Sequence, residues 1–248
     1  MLTNLKKLFQ TKQDLPTFTF GTETFPYLEL RSSAAKSPAL LIGLHGFGSD
    51  ETQLETLLDL ELNFPYVYLA PRAWYTLTGG GYAWFPLTQD GDTFKVDTSQ
   101  HHESMTLLES FITVAVKHYQ ADPTKVCLVG YSQGASLSLS YFLHKPETLF
   151  GAVALSGALL PEMKPDGLEP ASFKDKPLFV GHGTLDALIS EQDRTEIKTY
   201  VQAHAIDLTY REYRIPHVVS RAEKREVELW LGRAFMPANV SLKPVNSV

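Results

Sequence analysis

The strongest constraint on this chain is a series of short, almost wholly apolar runs separated by longer amphipathic stretches. Ala39–Leu44, Tyr66–Ala70, Val126–Gly130, Ala152–Ser156 and Leu178–Gly181 lack the polar alternation of a strand with one wet face. Such runs suit strands covered on both sides. Between them, Leu54, Leu57 and Leu58 follow Ser49 and Asp50, which are good helix N-cap residues. Leu107, Leu108, Phe111, Ile112 and Ala115 share one helical face, and so do Val227, Trp230, Leu231 and Ala234. The alternation predicts an α/β fold with a mostly parallel central sheet and helices on both faces.

Two early runs, Thr17–Phe20 and Tyr27–Arg31, predict an antiparallel hairpin at a sheet edge. Leu208–Arg214 alternates more and predicts a strand nearer an edge. A length of 248 residues without repeats or linker-like stretches fits one domain. Residues 1–35 would form an N-terminal extension and the edge hairpin, and residues 236–248 a tail. In open parallel sheets chemistry sits at the carboxyl ends of the strands.

Gly130-Tyr131-Ser132-Gln133-Gly134 stands at such a strand end. It follows Val126–Val129 and precedes a helix-like segment with Leu137, Leu139, Phe142 and Leu143 that stops before Pro146. A Gly-x-Ser-x-Gly pattern in that context places serine on a tight strand-to-helix turn, where side chains beside it would clash. The helix amides then face an oxyanion formed during acyl transfer. Ala39–Leu44 runs into His45-Gly46-Phe47-Gly48, a glycine turn able to present a second bare amide. The expected oxyanion donors are the amides of Phe47 and Gln133.

A serine nucleophile needs a histidine base and a carboxylate to orient it. In α/β hydrolases both follow the serine in the chain. His144, His182, His204 and His217 satisfy that order. His144 lies about three turns into the helix after Ser132, and His204 in a partly polar helical run. His182 belongs to the turn that presents Asp186, which leaves it little freedom to reach Ser132. His217 follows the last strand and is the expected base. Asp186, in a glycine-bearing loop, is the expected acid; Asp193 and Asp207 adjoin helix-like sequence.

His45-Gly46-Phe47-Gly48, Gly130-Tyr131-Ser132-Gln133-Gly134, Gly181-His182-Gly183-Thr184-Leu185-Asp186 and the late His217 together resemble the phospholipase/carboxylesterase family. The resemblance runs from about Ala39 to Phe235 and takes in Leu69-Ala70-Pro71-Arg72 and the Trp84-Phe85 pair. It implies a compact α/β-hydrolase fold without a large lid, hydrolysing carboxylic esters or acyl thioesters without a cofactor. Three positions depart from the pattern. Pro216 replaces the usual glycine before the histidine, Ala135 replaces a second glycine after the elbow, and Ala187–Ser190 lacks a common proline.

Residues 74–103 show little periodicity and many aromatics, with Gly79-Gly80-Gly81 among them. The stretch reads as a loop over the active site. Its Trp84 and Phe85 would bind substrate by walling an acyl pocket, or would pack the loop onto the body. Leu185 and Leu188, flanking Asp186, could line the same cavity.

Composition narrows partners and setting. A net charge of −6 with no Lys/Arg stripe argues against nucleic acid. The single Cys127 rules out an intrachain disulfide and a multi-cysteine metal site; no metal is expected. No window reaches the ~18 apolar residues of a membrane span, and the first residues do not read as a signal peptide. A cytoplasmic enzyme acting on a small-molecule ester or thioester is the expectation, and exposed aromatics near the pocket would allow a homodimer. Two rivals stand against it. A dienelactone-type hydrolase would carry cysteine where Ser132 stands, and a catalytically silent binding module would keep the fold alone.

Overall fold

The computed structural model describes residues 15–20, 23–31, 33–90 and 93–236. Most of the expected extension and nearly all of the tail lie outside the described residues.

Eight strands form one sheet: β1 (Thr17–Phe20), β2 (Glu23–Arg31), β3 (Ala39–Leu44), β4 (Tyr66–Pro71), β9 (Val126–Tyr131), β10 (Gly151–Leu155), β11 (Leu178–Gly183) and β12 (Leu208–Tyr213). Their order is β1-β2-β4-β3-β9-β10-β11-β12. β2 runs antiparallel to both its neighbours, while β4, β3, β9, β10, β11 and β12 pair in parallel. The expected edge hairpin and the edge position of β12 are both present. β3 lies between β4 and β9, so the chain reverses its direction of travel across the sheet there, and Ser132 follows β9 beside it.

The apolar runs work because successive side chains leave the sheet on opposite faces. Leu40, Ile42, Leu44, Val126 and Leu128 enter one buried layer, whereas Ala39, Leu41, Cys127 and Val129 enter the other. Helices α2 (Thr98–His118), α3 (Gln133–His144) and α4 (Glu191–Ala203) cover the first layer through residues such as Phe111, Leu139 and Ile197. Helices α1 (Gln53–Leu57) and α5 (Arg221–Phe235) cover the second through Leu54, Val227 and Leu231. Truncating any of these buried leucines to alanine would cost roughly 2–5 kcal/mol.

Two local expectations are corrected. α1 has only five residues, and neither Ser49 nor Asp50 caps it. Asp50 instead accepts from the Thr52 amide and hydroxyl, while Ser49 bridges to Tyr82. Residues 74–103 are not one irregular loop. They form two small hairpins, β5 (Tyr75–Thr76) with β6 (Tyr82–Ala83) and β7 (Leu87–Asp90) with β8 (Thr93–Val96), before α2 begins.

Candidate active site

Ser132 occupies the turn between β9 and α3 with φ 54° and ψ −119°, a conformation that side chains rarely adopt. Holding it there costs roughly 1–3 kcal/mol, which the surroundings must supply. Its amide donates to the Leu155 carbonyl of β10 at 2.9 Å. The glycines on either side are enforced by contact. A β-carbon on Gly134 would lie 2.0 Å from the Leu44 carbonyl oxygen, and one on Gly130 would lie 2.3 Å from that of Gly134.

The loops after β11 and β12 bring Asp186 and His217 to this turn. His217 Nδ1 lies 2.6 Å from Asp186 Oδ2, and its Nε2 lies 2.9 Å from Ser132 Oγ. A carboxylate only accepts, so Nδ1 carries the proton and Nε2 is left to accept from the serine hydroxyl. The other Asp186 oxygen accepts from the Leu188 and Ile189 amides at 2.8 and 3.0 Å. Its side chain is fully buried.

Pro216 does not carry the imidazole away. The loop is pinned by Leu185 N–H to the Ile215 carbonyl at 3.1 Å and by the Tyr131 hydroxyl to the His217 carbonyl at 2.8 Å. Gly183 lets it pack closely, since a β-carbon there would lie 2.3 Å from the Ile215 oxygen.

Above Ser132 runs the His45–Ser49 turn. The amides of Gly46, Gly48 and Ser49 are committed to Gln53 Oε1, the Tyr82 carbonyl and the Gly46 carbonyl. Among the described residues the Phe47 amide has no protein acceptor, and neither does that of Gln133 at the head of α3. Two free amides therefore sit beside the serine. His45 is spent on structure: Nδ1 donates to the Gly46 carbonyl and Nε2 accepts from the Ala73 amide. Burial holds its pKa below the ordinary histidine value.

The pocket residues divide. Trp84 and Phe85 have no exposed surface, so in this structure they do not wall a substrate pocket. They are packed beneath the site, because their backbone is gripped by Gln133 and the Trp84 indole by the His45 carbonyl. Leu185 and Leu188 are 55% and 65% exposed, and with Phe47 and Val218 they leave apolar surface next to three site loops.

Arg194 and Glu51 have no mark of their own in the sequence, and His182, set aside there as a base, supports the turn that presents Asp186. Arg194, nearly buried, donates to the Ile189 carbonyl and so steadies the turn that holds Asp186. His182 is fully buried, and burial pushes its pKa down to about 4, so it stays neutral beneath that turn. Glu51, fully buried in the glycine turn, takes a bidentate grip from Arg72 at 2.6 and 2.7 Å. No spacing marks a carboxylate that will be buried by a distant arginine. Leu69-Ala70-Pro71-Arg72 was the one visible hint.

Comparison with known proteins places the family and the fold. The family model described as Phospholipase/Carboxylesterase matches residues 26–231. Acyl-protein thioesterase 1 of Candida albicans is 27% identical over 216 residues, covering 81% of this chain and 94% of that protein. The corresponding protein of Kluyveromyces lactis is 30% identical over 145 residues, covering 57% of this chain and 63% of that protein, a little under two thirds of its length. The Bacillus cereus carboxylesterase shares the fold with a TM-score of 0.71 at 22% identity, covering 85% of this chain and 95% of that one. The chain belongs to the phospholipase/carboxylesterase family and is a hydrolase of the α/β-hydrolase fold.

Proposed function

We propose that Ser132 is the nucleophile of a serine hydrolase that cleaves small to medium acyl groups from carboxylic esters or acyl thioesters. The observation that carries this reading is the unbroken hydrogen-bonded chain Asp186–His217–Ser132 at 2.6 and 2.9 Å. His217 takes the hydroxyl proton as Ser132 Oγ bonds to the acyl carbon. The carbonyl oxygen becomes an oxyanion held by the Phe47 and Gln133 amides, each contributing roughly 10²–10³ in rate. The carbon–oxygen or carbon–sulfur bond then breaks, and His217 returns its proton to the departing alcohol or thiol. Water, deprotonated by His217, releases the acid and restores Ser132.

Relatives named acyl-protein thioesterases support including thioesters. The exposed Phe47, Leu185, Leu188 and Val218 offer an apolar seat for the acyl group. The reading extends to a cytoplasmic enzyme and to a homodimer. A panel of p-nitrophenyl esters of rising chain length, run beside one acyl thioester, tests it. Turnover should favour short and medium chains and vanish in Ser132→Ala. Undiminished hydrolysis by Ser132→Ala would overturn it.

A further inference from the structure

We infer that the Gln133 side chain is a positioning residue that holds the two candidate oxyanion amides in register. The inference rests on the serine-hydrolase reading above and goes beyond it, since that reading uses only the Gln133 backbone. Any residue type but proline would supply the amide at this position. The side chain has a separate task.

The Gln133 carboxamide is buried and hydrogen-bonded through both its oxygen and its nitrogen. Its Oε1 accepts from the Trp84 amide at 2.9 Å, and its Nε2 donates to the Phe85 carbonyl at 2.6 Å. Both partners are backbone groups with fixed roles, so the orientation of the amide is dictated by them. One side chain thus ties the elbow to residues 84 and 85.

That segment in turn grips the His45–Ser49 turn on both sides of Phe47. On one side the Trp84 indole donates to the His45 carbonyl at 2.7 Å. On the other, Tyr82 accepts from the Gly48 amide and donates to the Ser49 carbonyl, both at 2.9 Å. The Ser104 hydroxyl, reaching across from α2, secures the Trp84 carbonyl. The Gln133 carboxamide therefore links the elbow that carries its own amide to the turn that carries the Phe47 amide. This tie adds to the close packing of Gly134 against Leu44 and of Gly46 against Ser132.

Removing the carboxamide leaves the Trp84 amide and Phe85 carbonyl buried without partners and lets the turn shift. A shift approaching 1 Å can cost about 10²-fold in rate. A ground-state ester makes weak use of the donors, whereas a tetrahedral adduct depends on them. The loss should fall on kcat and on transition-state mimics while sparing KM.

The test measures kcat, KM and the inhibition constant of a trifluoromethyl ketone, which forms a hemiketal on the nucleophile. Wild type, Gln133→Met, Trp84→Phe and the double variant are compared. Gln133→Met and Trp84→Phe should each lower kcat roughly 10- to 100-fold and weaken the ketone by a similar factor, with KM within about twofold. The double variant should lose less than the product of the two, because both act through one path. Unchanged kcat and ketone binding in the variants, or a change in KM alone, would overturn the inference. If Gln133→Met does not fold, Trp84→Phe decides, since it removes the bond to His45 while keeping an aromatic ring in the core at the cost of a small cavity. A wild-type protein that neither turns over esters nor binds the ketone would instead defeat the serine-hydrolase reading, and this inference with it.

Discussion

The carboxyl of Glu223 fills the space that Gly181 leaves beside it: a β-carbon placed on Gly181 would lie 2.4 Å from Glu223 Oε1. The side chain is fully buried, and the Ser220 backbone beside it only partly offsets the cost of burying it. Burial, reinforced by nearby Glu226, pushes its pKa up to about 7. An acid whose pKa is raised on folding holds its proton more tightly in the native state. Its contribution to stability therefore falls as pH rises from the ordinary carboxyl range through about 7, and the full penalty applies above that. The penalty is on the order of 3 kcal/mol. Glu223→Gln should gain stability over wild type at about pH 8 and show little gain at about pH 4, read from urea midpoints. An equal difference at both pH values would contradict the assignment.

The Arg72–Glu51 pair should behave as a buried ion pair. Glu51 is fully buried, and its carboxylate raises the Arg72 pKa above the usual value. Removing Glu51 alone strands a cation that also lies over the Tyr82 ring at 4.7 Å. Glu51→Gln should cost about 3–5 kcal/mol of unfolding free energy. Replacing both partners with methionine should cost less than the two single changes added together. Additive losses in that cycle would show that the pair is not coupled.

Gly81 should tolerate no side chain. Its φ is 77°, and a β-carbon would lie 2.0 Å from the Gly48 carbonyl oxygen. Gly81→Ala should push the β5–β6 hairpin off the glycine turn. The expected result is a kcat at least about 10-fold lower, with Ser132 still present. Wild-type kcat in a folded Gly81→Ala protein would rule out this close packing.

The elbow was legible because its demands are local: Gly130 and Gly134 must be glycine wherever a strand turns into a helix around a serine. Asp186 and His217 were legible from chain order and from their places after β11 and β12. For Trp84 and Phe85 the sequence left two readings open, because aromatic content does not distinguish a pocket wall from its foundation. That division depends on Gln133, which is 48 and 49 residues away in the chain. The strands of the two small hairpins, two to four residues long, carry no period to detect. α1 was overextended because Asp50 turns back on Thr52 and does not open the helix. Glu223 had one visible mark, its place three residues after the N-cap Ser220, but nothing in that spacing signals full burial.

Asp186→Asn should keep the loop and lose the reaction. The amides of Leu188 and Ile189 would still find an acceptor, but the neutral side chain could no longer require the proton on His217 Nδ1. Steady-state kcat should fall by about 10³–10⁴ with an unchanged thermal midpoint. A loss smaller than tenfold would remove Asp186 from the catalytic chain.

The central claim is that the acyl group passes through Ser132. Mixing the enzyme with a p-nitrophenyl ester, quenching in acid within the first turnovers and mapping the digest by mass spectrometry tests it directly. The peptide containing Ser132 should carry the added mass of one acyl group, and Ser132→Ala should carry none while releasing no p-nitrophenol above background. Steady turnover with Ser132 never acylated, or full turnover by Ser132→Ala, would contradict the account.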